Sequence, residues 1–287
     1  MADNASSAML TPAQMALAAE DAAFAKATSR PLKSFLLGLT GGGYISLGFL
    51  FYITVQVGTA DVVPWGIAKL IGGLVFTTGL GLVILTGAEL FTSSTLTLTA
   101  RASGRITWWQ LLANWGVVYV ANFIGALTIV ALIFAAGTWR SADGGWTAVI
   151  LSAASGKLNH TFLEALALGI LCNLLVCLAV WAAYSGRSTT DKIIAMVLPI
   201  SLFVAAGFEH SIANMFLVPL ALVILRFADA GFWELSGIDP TAYADITWSS
   251  LFIDNLIPVT LGNIIGGGIM IGILFWTVFH LPGRTKP

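Results

Sequence analysis

The segment Gly207-Phe208-Glu209-His210-Ser211-Ile212-Ala213-Asn214-Met215 is a polar, ionisable patch inside an otherwise apolar run from Ile193 to Leu225. The run is longer than the about 20 residues one membrane crossing needs. An acid beside an imidazole at bilayer depth is costly unless both line a cavity or pathway. Two half-helices meeting at a polar break meet both constraints. Gly207 opens the patch, and Pro199 and Pro219 stand on either side of it, as residues that interrupt a helix would.

Composition extends the membrane reading to the whole chain. Hydrophobic residues make up 57% and charged residues 9%, against roughly 25% charged in soluble domains, and the mean hydropathy is +0.90. The first thirty residues carry Asp3, Glu20, Asp21, Lys26 and Arg30 and have no basic head with an apolar core, so they do not read as a cleaved signal peptide. Cys172 and Cys177, the only two cysteines, lie in an apolar stretch and read as small buried hydrophobes rather than a disulfide. A net charge of -1 argues against a nucleic-acid partner.

Apolar runs between charged and Gly/Pro-rich breaks give six spans, near 33–58, 67–100, 108–137, 159–186, 191–226 and 251–280. The second and fifth are over-long. The chain therefore reads as a 1–30 N-terminal segment, a 31–282 membrane domain and a 283–287 tail. Lys26, Arg30, Lys33, Arg101, Arg105, Arg187, Lys192, Arg284 and Lys286 fall on one side, and Arg140, Lys157 and Arg226 on the other, which makes both termini cytoplasmic. Trp65, Trp108, Trp109, Trp139, Trp146, Trp233 and Trp248 fall near span ends, as an interfacial aromatic belt would. Residues Thr11 to Ala27 read as a short amphipathic helix, with Thr11 as N-cap, Pro12 first, and Leu17 and Phe24 seven apart.

The two halves, about 31–137 and 157–282, repeat one another. Gly87-Ala88-Glu89 in the second span answers Gly207-Phe208-Glu209 in the fifth. Asn114, Asn122 and Gly125 in the third span answer Asn255, Asn263 and Gly266 in the sixth, with the same Asn-x7-Asn-x2-Gly spacing. Three spans per half force opposite topology, and inverted repeats put a transport site at their interface near the midplane. The asparagines also fit a plainer role, bonding helices together. Glu209, as a permanent carboxylate, would repel an anion and reads as a structural group bonding backbone donors of the break. The glycine strip of the sixth span, Gly262, Gly266, Gly268 and Gly272, reads as close helix packing.

These residues carry a resemblance to the formate–nitrite transporter family, most closely its formate channel branch, over Ala13 to about Trp276. The carrying segments are Ala102–Trp108, Leu90-Phe91-Thr92-Ser93, Val176–Trp181 with Ser185-Gly186-Arg187-Ser188, Gly207–Met215, and Asn255–Thr260 through Gly268. The resemblance implies an all-α, aquaporin-like protomer of six transmembrane helices, two of them broken. It also implies a homopentamer in the bacterial inner membrane, with one substrate pore in each protomer. His210 is similar to the family's central pore histidine and Thr92 to its hydroxyl partner. Leu80 and Leu90 correspond to a cytoplasmic constriction, and Phe76, Val176 and Phe203 to a periplasmic one. Lys157, Asn173 and Asn263 match positions that draw in or bond the anion, and Glu89, Glu209 and Gly207 are structural at the breaks. Glu89 stands where some formate channels have the shorter aspartate. In that family the N-terminal segment can modulate opening and contact a formate-producing enzyme.

Formate is the anion of an acid whose pKa is about 3.5, as for a carboxyl group, so at pH 7 neutralising it costs near 5 kcal/mol. Passing a bare charge through a dry ring of Leu and Phe costs more. His210, the one pore side chain of a type that titrates near neutral pH, is the expected proton relay, and half-helix N-termini at the breaks favour an anion at the same depth. The expected activity is passive or proton-coupled formate transport, with nitrite or hydrosulfide as the alternative anion. No motif for metal, nucleophilic catalysis or phosphate binding occurs, so neither an enzyme nor a cofactor is expected. Only His210 lies deep, which argues against a haem anchor. The absence of Asn-Pro-Ala at both breaks argues against a water channel.

Overall fold

The computed structural model describes residues 9–60 and 62–280, which are helical apart from turns and connections. The expected 283–287 tail, with Arg284 and Lys286, lies outside the described residues, as does Asp3. The chain opens with α1 (Pro12–Ala27), α2 (Pro31–Gln56) and α3 (Trp65–Thr86). A break follows, then α4 (Phe91–Ser94), a 3-10 turn, α5 (Leu98–Ala102) and the long α6 (Trp108–Ala135). The second half runs through α7 (Gly145–Leu158), α8 (Phe162–Ala183) and α9 (Thr189–Ala205), a second break and α10 (Ser211–Phe227). After α11 (Ala230–Ser236), the last span joins π-helical turns at Ser250–Leu256, α12 (Ile257–Asn263), further π-helical turns at Ile264–Ile273, and α13 (Leu274–His280).

Five helices are long and apolar enough to cross a membrane: α2, α3, α6, α8 and Ser250–His280. The expected fifth span is divided between α9 and α10, of 17 residues each. Helix starts follow from reciprocal side-chain caps, Thr11 with Gln14, Thr107 with Gln110, Thr161 with Glu164 and Ser188 with Asp191, each of which supplies partners for N–H groups the first turn leaves open. α2 packs on α3 and α6; α8 packs likewise on α9 and the last span; α3 meets α9 across the two halves.

Backbones approach closely where the repeat puts glycine. A Cβ on Gly125 would run into the Leu39 carbonyl of α2, and one on Gly266 into the Ile170 carbonyl of α8. Asn122 and Asn263, three residues before, thereby reach the breaks.

Four expectations change in the structure. Pro199 and Pro219 sit inside α9 and α10. The break lies between them because Gly207, at φ +74°, ends α9 in the left-handed conformation, as Gly87 at φ +75° ends α3. Trp139 and Trp146, expected in an interfacial belt, are buried; the Trp146 indole N–H donates to Thr54 Oγ1 at 3.2 Å and that of Trp139 to the Phe134 carbonyl at 3.1 Å. Both belong to a 137–159 connection that folds inward, Trp139 on a 3-10 turn and Trp146 at the start of α7. α1 buries Ala16, Ala19, Ala23 and Ala27 and leaves Leu17 exposed, because small side chains let it lie close against its neighbours. Finally, the repeat extends beyond its expected bounds, since α1 and α7 occupy matching places, as their lysines show below.

Gly125→Ala and Gly266→Ala are each expected to cost about 1–3 kcal/mol through overpacking and to lower the thermal unfolding midpoint of the detergent-solubilised protein. Gly116→Ala, with open space at the Cβ position, is expected to leave it unchanged or raised; equal midpoints for all three would contradict the packing argument.

Candidate pore and its two helix breaks

An interrupted helix in a membrane leaves backbone donors and acceptors that lipid cannot satisfy. Here one asparagine serves each break. Asn122 Nδ2 donates to the carbonyls of Gly38 at 2.7 Å and Glu89 at 2.9 Å, while its Oδ1 accepts from the Phe91 N–H at 2.9 Å. Asn263 Nδ2 donates to the carbonyls of Gly169 at 2.8 Å and Glu209 at 3.0 Å, while its Oδ1 accepts from the Ser211 N–H at 3.1 Å. The Glu89 and Glu209 N–H groups bond back to Leu37 and Leu168 in the same way. Asn263, expected along the anion path, is instead fully buried with both ends of its amide engaged at the break.

The two glutamates bond side chains rather than the backbone donors expected for Glu209, since Asn263 already serves the backbone. Glu209 Oε1 lies 2.7 Å from Lys157 Nζ and 3.7 Å from His160 Nε2. Its Oε2 accepts from Asn214 at 2.6 Å and Asn255 at 3.2 Å. Glu89 Oε2 lies 3.5 Å from Lys26 Nζ and accepts from Ser94 Oγ at 3.3 Å. Asn255 donates to the Lys157 carbonyl at 3.1 Å, and Asn114 to the Lys26 carbonyl at 3.3 Å. Lys26 at the end of α1 is thus the counterpart of Lys157 at the end of α7. Lys157, expected as a lure or a snorkelling lysine, is the ion partner of a fully buried carboxylate.

Between the breaks, Thr92 and His210 face each other, with Thr92 Oγ1 and His210 Nε2 at 3.1 Å. The other ring nitrogen, Nδ1, accepts from the Ala213 N–H at 3.1 Å, so His210 is also the N-cap of α10. A neutral imidazole bonded this way keeps its proton on Nε2 and donates it to Thr92. Phe203 stacks on His210 at 5.9 Å and meets Phe76 edge-on at 5.5 Å. Leu80, Leu90 and Val176 are buried at the same core. Asn173, also expected to touch the anion, spends its amide N–H groups on the Thr92 carbonyl, Thr95 Oγ1 and the Asn263 carbonyl. It thereby positions Thr92 from behind.

A cavity of about 1020 Å³ opens on the side away from α1 and ends on Phe76, Phe203 and His210. Lys69, Lys157, His160, Glu209, Tyr52 and Trp65 are among its lining residues. Lys69 carries no local signal, since it stands one turn into α3 where a snorkelling lysine is ordinary. Lys26 was legible only as one of the basic residues near the N-terminus. Among the described residues no three His, Cys, Asp or Glu side chains converge as a metal site requires.

Lys157→Met is expected to cost about 3–5 kcal/mol, because it leaves Glu209 charged, buried and without its cation. Lys157→Met combined with Glu209→Gln is expected to recover much of that loss. Thermal unfolding of the four proteins in a double-mutant cycle checks this; additive losses would mean that the pair is not coupled.

A family model described as "Formate/nitrite transporter" matches residues 13–277. The chain is 51% identical to formate channel FocA of Escherichia coli K12, over 94% of this chain and 95% of that one. It is 33% identical to formate channel BtFdhC of Bacillus thuringiensis, over 94% and 95%. A solved structure titled "Pentameric formate channel with formate bound" superposes with a TM-score of 0.83 at 47% identity, covering 87% of this chain and 97% of that one. With the match running through both breaks and both asparagine clamps, the chain belongs to the formate/nitrite transporter family.

Proposed function

We propose that this protein carries formate across the bacterial inner membrane, through one pore in each protomer of a pentamer, with both termini in the cytoplasm. The observation that carries the reading is the Thr92–His210 pair, 3.1 Å apart, at the foot of a charged cavity and behind the Phe76–Phe203 aromatic pair. Similarity to FocA channels and to the formate-bound pentamer supports the substrate and the assembly. The basic residues Arg101, Arg105, Arg187 and Lys192 on the side of the termini support the orientation.

A formate ion loses its hydration among Phe76, Phe203, Leu80 and Leu90, and taking up a proton there is cheaper than crossing as a charge. The relay that conserves protons starts from an imidazolium. Nδ1 releases the Ala213 N–H and binds a proton supplied by the water of the outer cavity that His210 lines; Nε2 passes its proton to Thr92 Oγ1, whose own proton goes to the formate carboxylate. Formic acid moves on, leaving a neutral ring protonated on Nδ1, and the cap returns when that proton has shifted to Nε2. At the other end of the pore, α1 is the adjustable element, tied by Lys26 to Glu89 and by Asp21 and Glu20 to Arg105. Its exposed Leu17 and Asp21 offer the surface where a formate-producing enzyme would dock.

Formate flux into liposomes, with and without a pH gradient, tests this for wild type and His210→Asn, with nitrite and hydrosulfide as competitors. Wild-type flux is expected to respond to pH and the variant to lose that response. No formate flux above empty liposomes at any pH would overturn the substrate and pass the assignment to whichever competitor is carried.

A further inference from the structure

Above His210 at its foot, the outer cavity is lined by the ionisable side chains Lys69, Lys157, His160 and Glu209, with the Tyr52 phenol beside them. The Lys157 and Glu209 charges offset each other at 2.7 Å, so the standing positive charge of the cavity resides on Lys69. We infer that Lys69 is the residue that captures a small monovalent anion at the mouth of this vestibule, while Lys157 serves the helix break. The inference rests on the anion-transport reading and adds a residue to it.

Three observations support this. The Lys69 ammonium donates to Tyr52 Oη at 3.2 Å and lies 5.9 Å from the ring centroids of both Tyr52 and Trp65. It has no carboxylate within 4.0 Å among the described residues. An ammonium has three donors, and Tyr52 takes one, so two remain for a ligand. Aromatic faces hold a cation without neutralising it.

The position on α3 is also telling. Lys69 and Phe76 are seven residues apart and so share a helix face, with the ammonium's backbone about 10 Å above the aromatic constriction. That is about one Debye length at physiological salt, and low-dielectric walls focus the field of a charge in a cleft. An anion held at Lys69 is therefore already on the approach to Phe76 and His210.

The internal repeat provides the third observation. Residues with a structural duty recur in both halves: Gly87 and Gly207, Asn122 and Asn263, Lys26 and Lys157. Counting back eighteen residues from Gly87 reaches Lys69, and from Gly207 reaches Thr189. At that distance from its break the second half has a threonine, the first residue of α9, where α3 is already one turn long, so the repeat itself does not call for a lysine there. The same contrast marks the pore itself, where His210 stands opposite Leu90 in the repeat.

The test is uptake of labelled formate, and in parallel nitrite, by cells that express the full chain and lack their own carriers, so that every vestibule faces outward. Initial rates are compared across anion concentration at about 0.01 M and about 0.3 M salt for wild type, Lys69→Gln and Lys69→Arg. Lys69→Gln is expected to raise the half-saturating concentration about threefold or more at low salt, to leave the maximal rate unchanged and to flatten the salt dependence; Lys69→Arg is expected to restore both. An unchanged half-saturating concentration, or a fall in maximal rate alone, would overturn the role of Lys69. Wild-type uptake of nitrite without formate would overturn the substrate while the lysine is judged on nitrite, and uptake of neither anion would overturn both.

Discussion

The structure depends on satisfying backbone polar groups where two helices stop inside the membrane. Each break exposes N–H and C=O groups that cost several kcal/mol apiece if left in hydrocarbon. A single carboxamide meets the need because it offers two donors and an acceptor in one plane. Asn122 and Asn263 each close three bonds between the break and the neighbouring α2 or α8. Gly125 and Gly266 follow from this, since the helix carrying the amide must press against its neighbour for the reach to work. The left-handed glycines follow as well, because the chain must leave one half-helix and enter the other within a few residues.

Once the breaks are held, the glutamates can be buried. Glu209 is fully enclosed yet has a lysine, two asparagines and a nearby histidine around it, while Glu89 has Lys26 and Ser94. The second break is the more tightly held, at 2.7 Å against 3.5 Å for the lysine contacts. Lys26 is also the more exposed of the two lysines, so salt and water reach that contact more readily.

Much of this architecture is written locally. Spans, over-long runs and the Asn-x7-Asn-x2-Gly repeat are periodic or compositional, and the Thr11 cap with Pro12 is a four-residue signal. What was not legible depends on contacts distant in the chain. Lys157 lies 52 residues from Glu209, and nothing near either names the other. The 14 residues of α7 mix small, aromatic and apolar side chains without a clear polar face, so they read as a connection. Pro199 and Pro219 read as breakers because proline usually is one, yet a helix packed on its neighbours, α9 on α3 and α8 and α10 on α6, tolerates the lost bond. Asn173 and Asn263 were expected along the anion path only through the family resemblance; their amide N–H groups go mainly to backbone carbonyls of other segments, contacts that the local sequence does not encode.

The bonds divide into two sets by where their partners lie. Every bond that secures a break joins residues of one half: Asn122 to Gly38 and Glu89, Asn263 to Gly169 and Glu209, each lysine to its own glutamate. The bonds that make the pore run between halves: Thr92 to His210 and Asn173 to the Thr92 carbonyl. The conduction path is therefore a seam, owned by neither half. A substitution on that seam that keeps the His210 cap on α10 and the Asn173 bond to the Asn263 carbonyl leaves both scaffolds bonded as they are, so one framework can be retuned to a different anion while its folding instructions stay as they are.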